Sequence, residues 1–466
     1  MYQTAGWVEL TTGLRGLHDQ DNDTKVQVEE SPDEDQIRFD IGGVEAMILN
    51  ESTQGATRLD IGPDLGLIIG HDAGLTSYPG WNTIVGYQAG QNNTTGERNV
   101  FLGYQAGQNN DANEDRNVLI GYRAGRENSG WNNTMIGYLA GQVSTSGYSN
   151  TFIGADAGVQ NSSGYRNTFV GHQAGHNNEI TNENTFVGFN AGYFNEANRN
   201  TFVGINAGTA NRTGTYNVSI GGFSAGNTLS NRDMGNGNTI IGYESAFFAN
   251  DLPGNSLLGY RTGYLLTRGA YNTLLGYEAG FRADTAFANV AVGSGALYEN
   301  RYGGHNVAVG DSALFENTTS GNVAVGTKAG QDNTDGGQNT FVGNRAGTNN
   351  TTAHLNTFIG YHAGQSNTTG QYNTALGAET GTASNADVNT FVGYATVFIN
   401  EDGNENVFMG VRAGRYNVGG SWNIGIGLDA LTRNVQGHHN IGIGHLALGD
   451  PVSGADTIDN NIAIGH

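Results

Sequence analysis

The amino-acid sequence predicts an all-β fold, a parallel β-solenoid of about 24 short coils. Three observations carry this. A glycine closes a short apolar run at intervals that are nearly all 16 to 18 residues, from Gly70 to Gly465. An asparagine stands four residues before that glycine in 23 of 24 units, Gly66 being the exception, so the polar position is as periodic as the apolar one. The 466-residue chain also holds 75 glycines but only 5 prolines, which fits frequent turns and neither collagen nor a proline-rich linker. Self-similarity at a fixed period is the mark of a stacked repeat, and units this small leave no room for a helix.

Residues 1–60 stand apart from the array. They carry 13 acidic and 4 basic residues. The runs 23–29 and 36–43 alternate like the arms of a hairpin, so this segment is expected to form a small β cap or connector. Asp19, Asp21, Asp23 and Glu30 fall at positions 1, 3, 5 and 12 of a calcium loop, which makes them the chain's calcium candidate. Position 6 of that loop is Thr24 where a glycine is needed, and the residues after it alternate as a strand does. An acidic turn is the simpler reading, and no metal is assigned.

Residues 67–466 form the array. Asn184-Thr185-Phe186-Val187-Gly188 and Asn339-Thr340-Phe341-Val342-Gly343 show the unit. The residue before the glycine, such as Val187 or Val342, is a large aliphatic and is expected to point into a core, with the Thr two places earlier on the same face. The residue between them is Phe in many units and Ala or Gly in others, so its face is apolar too. A thin coil covers one face of a strand, and a strand apolar on both implies a second chain against the other. The asparagine column is expected to bond its own backbone and to stack its amides along the array. After the glycine, Tyr87-Gln88-Ala89-Gly90 and its counterparts suggest a short second strand, and a polar loop closes the coil. Strands stacked at the usual inter-strand spacing would give a rod on the order of 115 Å. Two intervals, Gly221 to Gly242 and Gly444 to Gly465, reach 21 residues, as lengthened loops would. The sequence stops inside a unit, so a section of a longer fibre is expected.

Composition narrows the chemistry. A formal charge of −22 opposes nucleic acid and anionic membrane surfaces, and no apolar run is long enough to insert in a membrane. There is no cysteine, hence no disulfide, thiolate metal site or thiol nucleophile. Catalysis needs convergent groups, and no carboxylate pair, serine with a base or histidine cluster repeats; His438, His439 and His445 read as loop residues. The Thr column at Thr83, Thr134, Thr151, Thr168, Thr185 and Thr201 resembles an ice-binding face, but Val100, Val118, Val290 and Ile441 interrupt it, as a buried column would allow. Asn-x-Thr triplets arise here by composition. No cofactor is expected.

The run Asn-Val-Ala-Val-Gly at 289–293 and 306–310, and Asn-Ile-Ala-Ile-Gly at 461–465, resembles the head repeats of trimeric autotransporter adhesins. That resemblance implies a left-handed parallel β-roll, association of three chains about an axis, and adhesion to surfaces or cells. Units here are longer than that family's, and frequent Phe widens the axis, so larger rings stay open beside the homotrimer. The acidic leading segment is similar to those of tail-fibre-like bacterial surface proteins. The expectation is therefore a non-enzymatic, extracellular bacterial fibre or adhesin segment, homo-oligomeric, contacting an unnamed cell-surface or glycan target. The alternative is a passive stalk whose binding tip lies elsewhere.

Overall fold

A computed structural model describes residues 66–465 except 76–79, 111–115, 210, 227–232 and 450–456, together with five strands before residue 66. The calcium candidates Asp19, Asp21, Asp23 and Glu30 lie outside the described residues, as do the extra residues of both lengthened loops. The chain divides into two compact units, Met1–Ala155 and Asp156–His466.

In the first unit, Gly16–His18, Lys25–Val28, Gln36–Ile41, Val44–Glu51 and Thr57–Ile61 form a five-stranded antiparallel meander. The hairpin read from alternation is the pairing of Lys25–Val28 with Gln36–Ile41. The same unit then begins the solenoid with strands such as Val100–Leu102 and Thr134–Ile136. The second unit is built of strands of the same kind, from Thr168–Val170 to Ile462–Ile464. Together the two units hold about 22 parallel turns, and no helix occurs among the described residues.

Each turn contributes one three-residue strand, paired in register with the next. Thr168, Phe169 and Val170 lie against Thr185, Phe186 and Val187, which lie against Thr201, Phe202 and Val203. Identical residues therefore stack into columns, the arrangement that lets every backbone group bond the coil above and below. The segment after the glycine, expected as a second strand, is a run of turns. Its backbone cannot extend, because the residues two and four places after the glycine, such as Gln88 and Gly90, sit at φ of 52° and 54°.

The burial of the strand corrects the expected facing. Phe186 and Phe341, the middle residues, are fully buried, whereas Val187 and Val342 are half-buried and point outward with the Thr column. The alternation was real, but its sign was inverted. The closed interior of a coil is completed by the Ala three places after the glycine, Ala191 or Ala346, and by buried Asn residues.

Size compensation fills that interior. Where the middle residue is Phe186, the residue four after the glycine is Gly192, whose missing Cβ would lie 2.6 Å from the Phe186 ring. Where the middle residue shrinks to Ala291, Ala308 or Gly425, that position becomes Leu297, Leu314 or Leu431, each buried. In these turns the exchange keeps the interior filled, as close packing demands, whereas at Ala324 with Gly330 the Phe341 ring of the next turn reaches in. At Ser219 the same slot turns polar, and Ser219 Oγ donates to Ser224 Oγ at 2.8 Å.

Candidate functional site

The anchor glycines form a backbone seam. Gly188 and Gly343 adopt φ of 137° and 138°. A Cβ on Gly343 would stand 2.3 Å from the carbonyl oxygen of Gly360, the next anchor. Both conformation and space therefore exclude a side chain, which accounts for the regularity of this column.

Beside the seam runs the asparagine ladder. Asn184 is buried; its Oδ1 accepts the backbone N–H of Asn200 at 2.9 Å, and its own N–H donates to Asn167 Oδ1 at 3.0 Å. Asn339 repeats this with Asn356 and Asn322, both at 2.9 Å, while its Nδ2 donates to the Ala353 carbonyl at 2.8 Å. The column thus ties amide to backbone more than amide to amide. Its work is structural, satisfying buried groups at the entrance of each strand.

A second buried asparagine column, seven places after the glycine, was not recognised from sequence. Asn317, Asn333, Asn350 and Asn367 belong to it, and here the side-chain amides do bond along the array, as from Asn350 Nδ2 to Asn333 Oδ1 at 2.6 Å. The periodicity was present in the loops, but a loop Asn reads first as turn chemistry.

What remains for function lies outside. The first and third strand positions make a flat outward face. Large side chains on it are open to solvent, including Leu258 at 47%, Leu275 at 41% and Met409 at 41% exposure. The next column, one after the glycine, adds aromatic rings. In the first unit His71, Tyr87, Tyr104, Tyr122 and Tyr138 stack at 5.2 to 5.7 Å. In the second, Tyr243, Tyr260 and Tyr277 stack at 5.8 and 5.2 Å. An apolar strip repeated on coil after coil far exceeds scattered surface hydrophobes, and such faces mark contact surfaces.

The Thr column lies on this same outward face, so the reasoning that treated it as buried falls. Its interruptions by Val100, Val118, Val290 and Ile441 stand, and they leave the face mixed. His438 and His439 occupy a loop, where His438 Nδ1 accepts from the Ser421 N–H at 3.1 Å and His439 stacks on Trp422 at 4.9 Å. These contacts are local and converge on no common point. No family model, curated protein or solved structure matches the chain.

Proposed function

We propose that this chain is a segment of an extracellular bacterial fibre that self-associates through its outward strand face, as a homotrimer or larger ring, and attaches to a surface or another cell. The supporting observation is that face: an in-register strip of Val, Leu, Ile, Met and Tyr side chains, with Thr beside them, left partly exposed by the single chain. Burying such a strip is favourable at about 25 cal/mol per Å² of apolar area, and it adds along the array. The resemblance of 289–293 and 306–310 to adhesin head repeats, including their left-handed roll, points the same way. A charge of −22 and the absence of cysteine suit an exposed, oxidising location.

Mass measurement under native conditions tests the reading. A trimer or larger closed ring is expected, and Leu258→Asp with Leu275→Asp is expected to give monomers that keep their β signal. A wild-type chain that stays monomeric at micromolar concentration overturns it. The passive-stalk reading is favoured instead if the chain associates but binds neither cells nor glycans.

A further inference from the structure

Between the turns anchored at Gly242 and Gly310 the array departs from its own pattern, on columns away from the strand face. The second asparagine column is replaced by Ala249, Leu266 and Ala283, all buried. Five places after the glycine, successive turns carry Phe247, Tyr264, Phe281, Tyr298 and Phe315, stacked at 5.5, 5.1, 4.9 and 4.7 Å with planes within 8° of parallel. Phe248 stands across this stack, at 86° to Phe247 and 89° to Tyr264.

Beside Phe248 opens a groove of about 400 Å³. Phe248, Leu265 and Arg282 line it from one column on three successive turns, and the exposed Tyr302 stands one turn beyond. Thr267, Asp284 and Arg301 line it from a second column, in which Thr267 Oγ1 donates to Asp284 Oδ1. Arg282 and Arg301 both lean on the single carboxylate of Glu299, at 3.2 and 3.9 Å, and the buried Nε of Arg282 has no hydrogen-bond partner. Two guanidinium groups sharing one carboxylate keep donors in reserve. With Glu299 and Asp284 beside them, the two arginines leave the groove without net charge, a local relief in a chain with twice as many acidic as basic residues.

We infer that this groove binds an acidic sugar within a glycan chain. The sugar carboxylate meets Arg282 and Arg301, whose geometry suits carboxylates. The apolar face of that sugar ring lies on Leu265 and Phe248, a neighbouring ring of the glycan chain lies on Tyr302, and hydroxyls donate to the second oxygen of Asp284 and to Thr267 Oγ1. Asp284 narrows the class: it opposes a ligand more densely charged than one carboxylate per ring, yet accepts from the hydroxyls that such a ring brings. A neutral glycan leaves the arginines unused. This inference names the target of the adhesive role proposed above and rests on it.

Titration calorimetry of the full chain tests it, with a trimeric oligogalacturonate, the methyl esters of that oligomer, a neutral cello-oligosaccharide and a poly-glutamate peptide as probes. The acid oligomer alone is expected to bind, and Arg301→Ala and Tyr302→Ala are each expected to weaken it about tenfold or more. Arg412→Ala, on a distant turn, is expected to leave affinity unchanged. Equal binding of the esters or the neutral oligomer, stronger binding of the peptide, no binding at millimolar sugar, or wild-type affinity in Arg301→Ala overturns the inference. Native mass is recorded on the same samples. Sugar binding by a monomer removes the fibre reading and keeps the groove; assembly without sugar binding does the reverse.

Discussion

Gly343 and Gly337 are both glycines of one turn, yet their neighbourhoods differ. Gly343 combines φ of 138° with a carbonyl oxygen 2.3 Å from its missing Cβ, so Gly343→Ala is expected to cost about 3 kcal/mol or more. Gly337 has ordinary φ and nothing nearer than 3.4 Å, so Gly337→Ala is expected to melt within about 0.5 kcal/mol of wild type. Urea unfolding of the two variants gives the comparison, and equal effects would refute the seam. Asn339→Ala removes an acceptor from the buried Asn356 N–H and a donor from the Ala353 carbonyl, an expected loss of about 1–3 kcal/mol. His362 offers a pH test. Its Nε2 is buried without a partner, and burial, aided by the charge of Arg345, holds its pKa below the ordinary imidazole value. The neutral ring is the form the fold prefers. Its contribution is present above about pH 6.5, the unfolded value, and is lost as pH falls from there through the lowered folded value. His362→Gln is expected to remove that acid-side loss, and an NMR midpoint for His362 at or above the ordinary value would contradict it.

At the scale of the turn, the period, the anchor glycine and the first asparagine column were legible because each is a chemical constraint that repeats in register. The facing of Val187 and Val342 was not. Alternation tells which residues share a side, but Thr-Phe-Val is apolar at both of its sides, and hydrophobicity alone does not choose between them. Some turns held a better discriminator: Ala291 is paired with Leu297 where Phe186 is paired with Gly192, a trade of volume expected of residues that share a closed interior, although Phe391 with Val397 does not follow it. A double-mutant cycle tests that trade. Ala291→Phe overpacks, at an expected cost of about 1–3 kcal/mol, and Leu297→Gly opens a cavity, at about 2–5 kcal/mol. Leu297 already has φ of 54°, which glycine adopts freely. The double variant is therefore expected to recover most of both losses, and simple additivity would show that the two positions do not fill one space.

For the whole molecule, inversion of the strand changes what a charge on it does. Were Val187 and Val342 interior, Val187→Asp with Val342→Asp would bury two carboxylates and unravel neighbouring coils. They are half-exposed instead, beside the open column of Phe189 and its counterparts, so a lone chain can hydrate the new charges at small cost. An assembly cannot, because closing the outward face would strip water from both carboxylates without supplying partners. The double variant is expected to melt at a temperature independent of concentration, while the wild type melts higher as concentration rises, since association binds only folded chains. Melting curves across a hundredfold range of concentration measure this. Collapse of the variant to an unfolded chain would return these side chains to the interior, and concentration-independent melting of the wild type would leave the outward strip without its proposed partner.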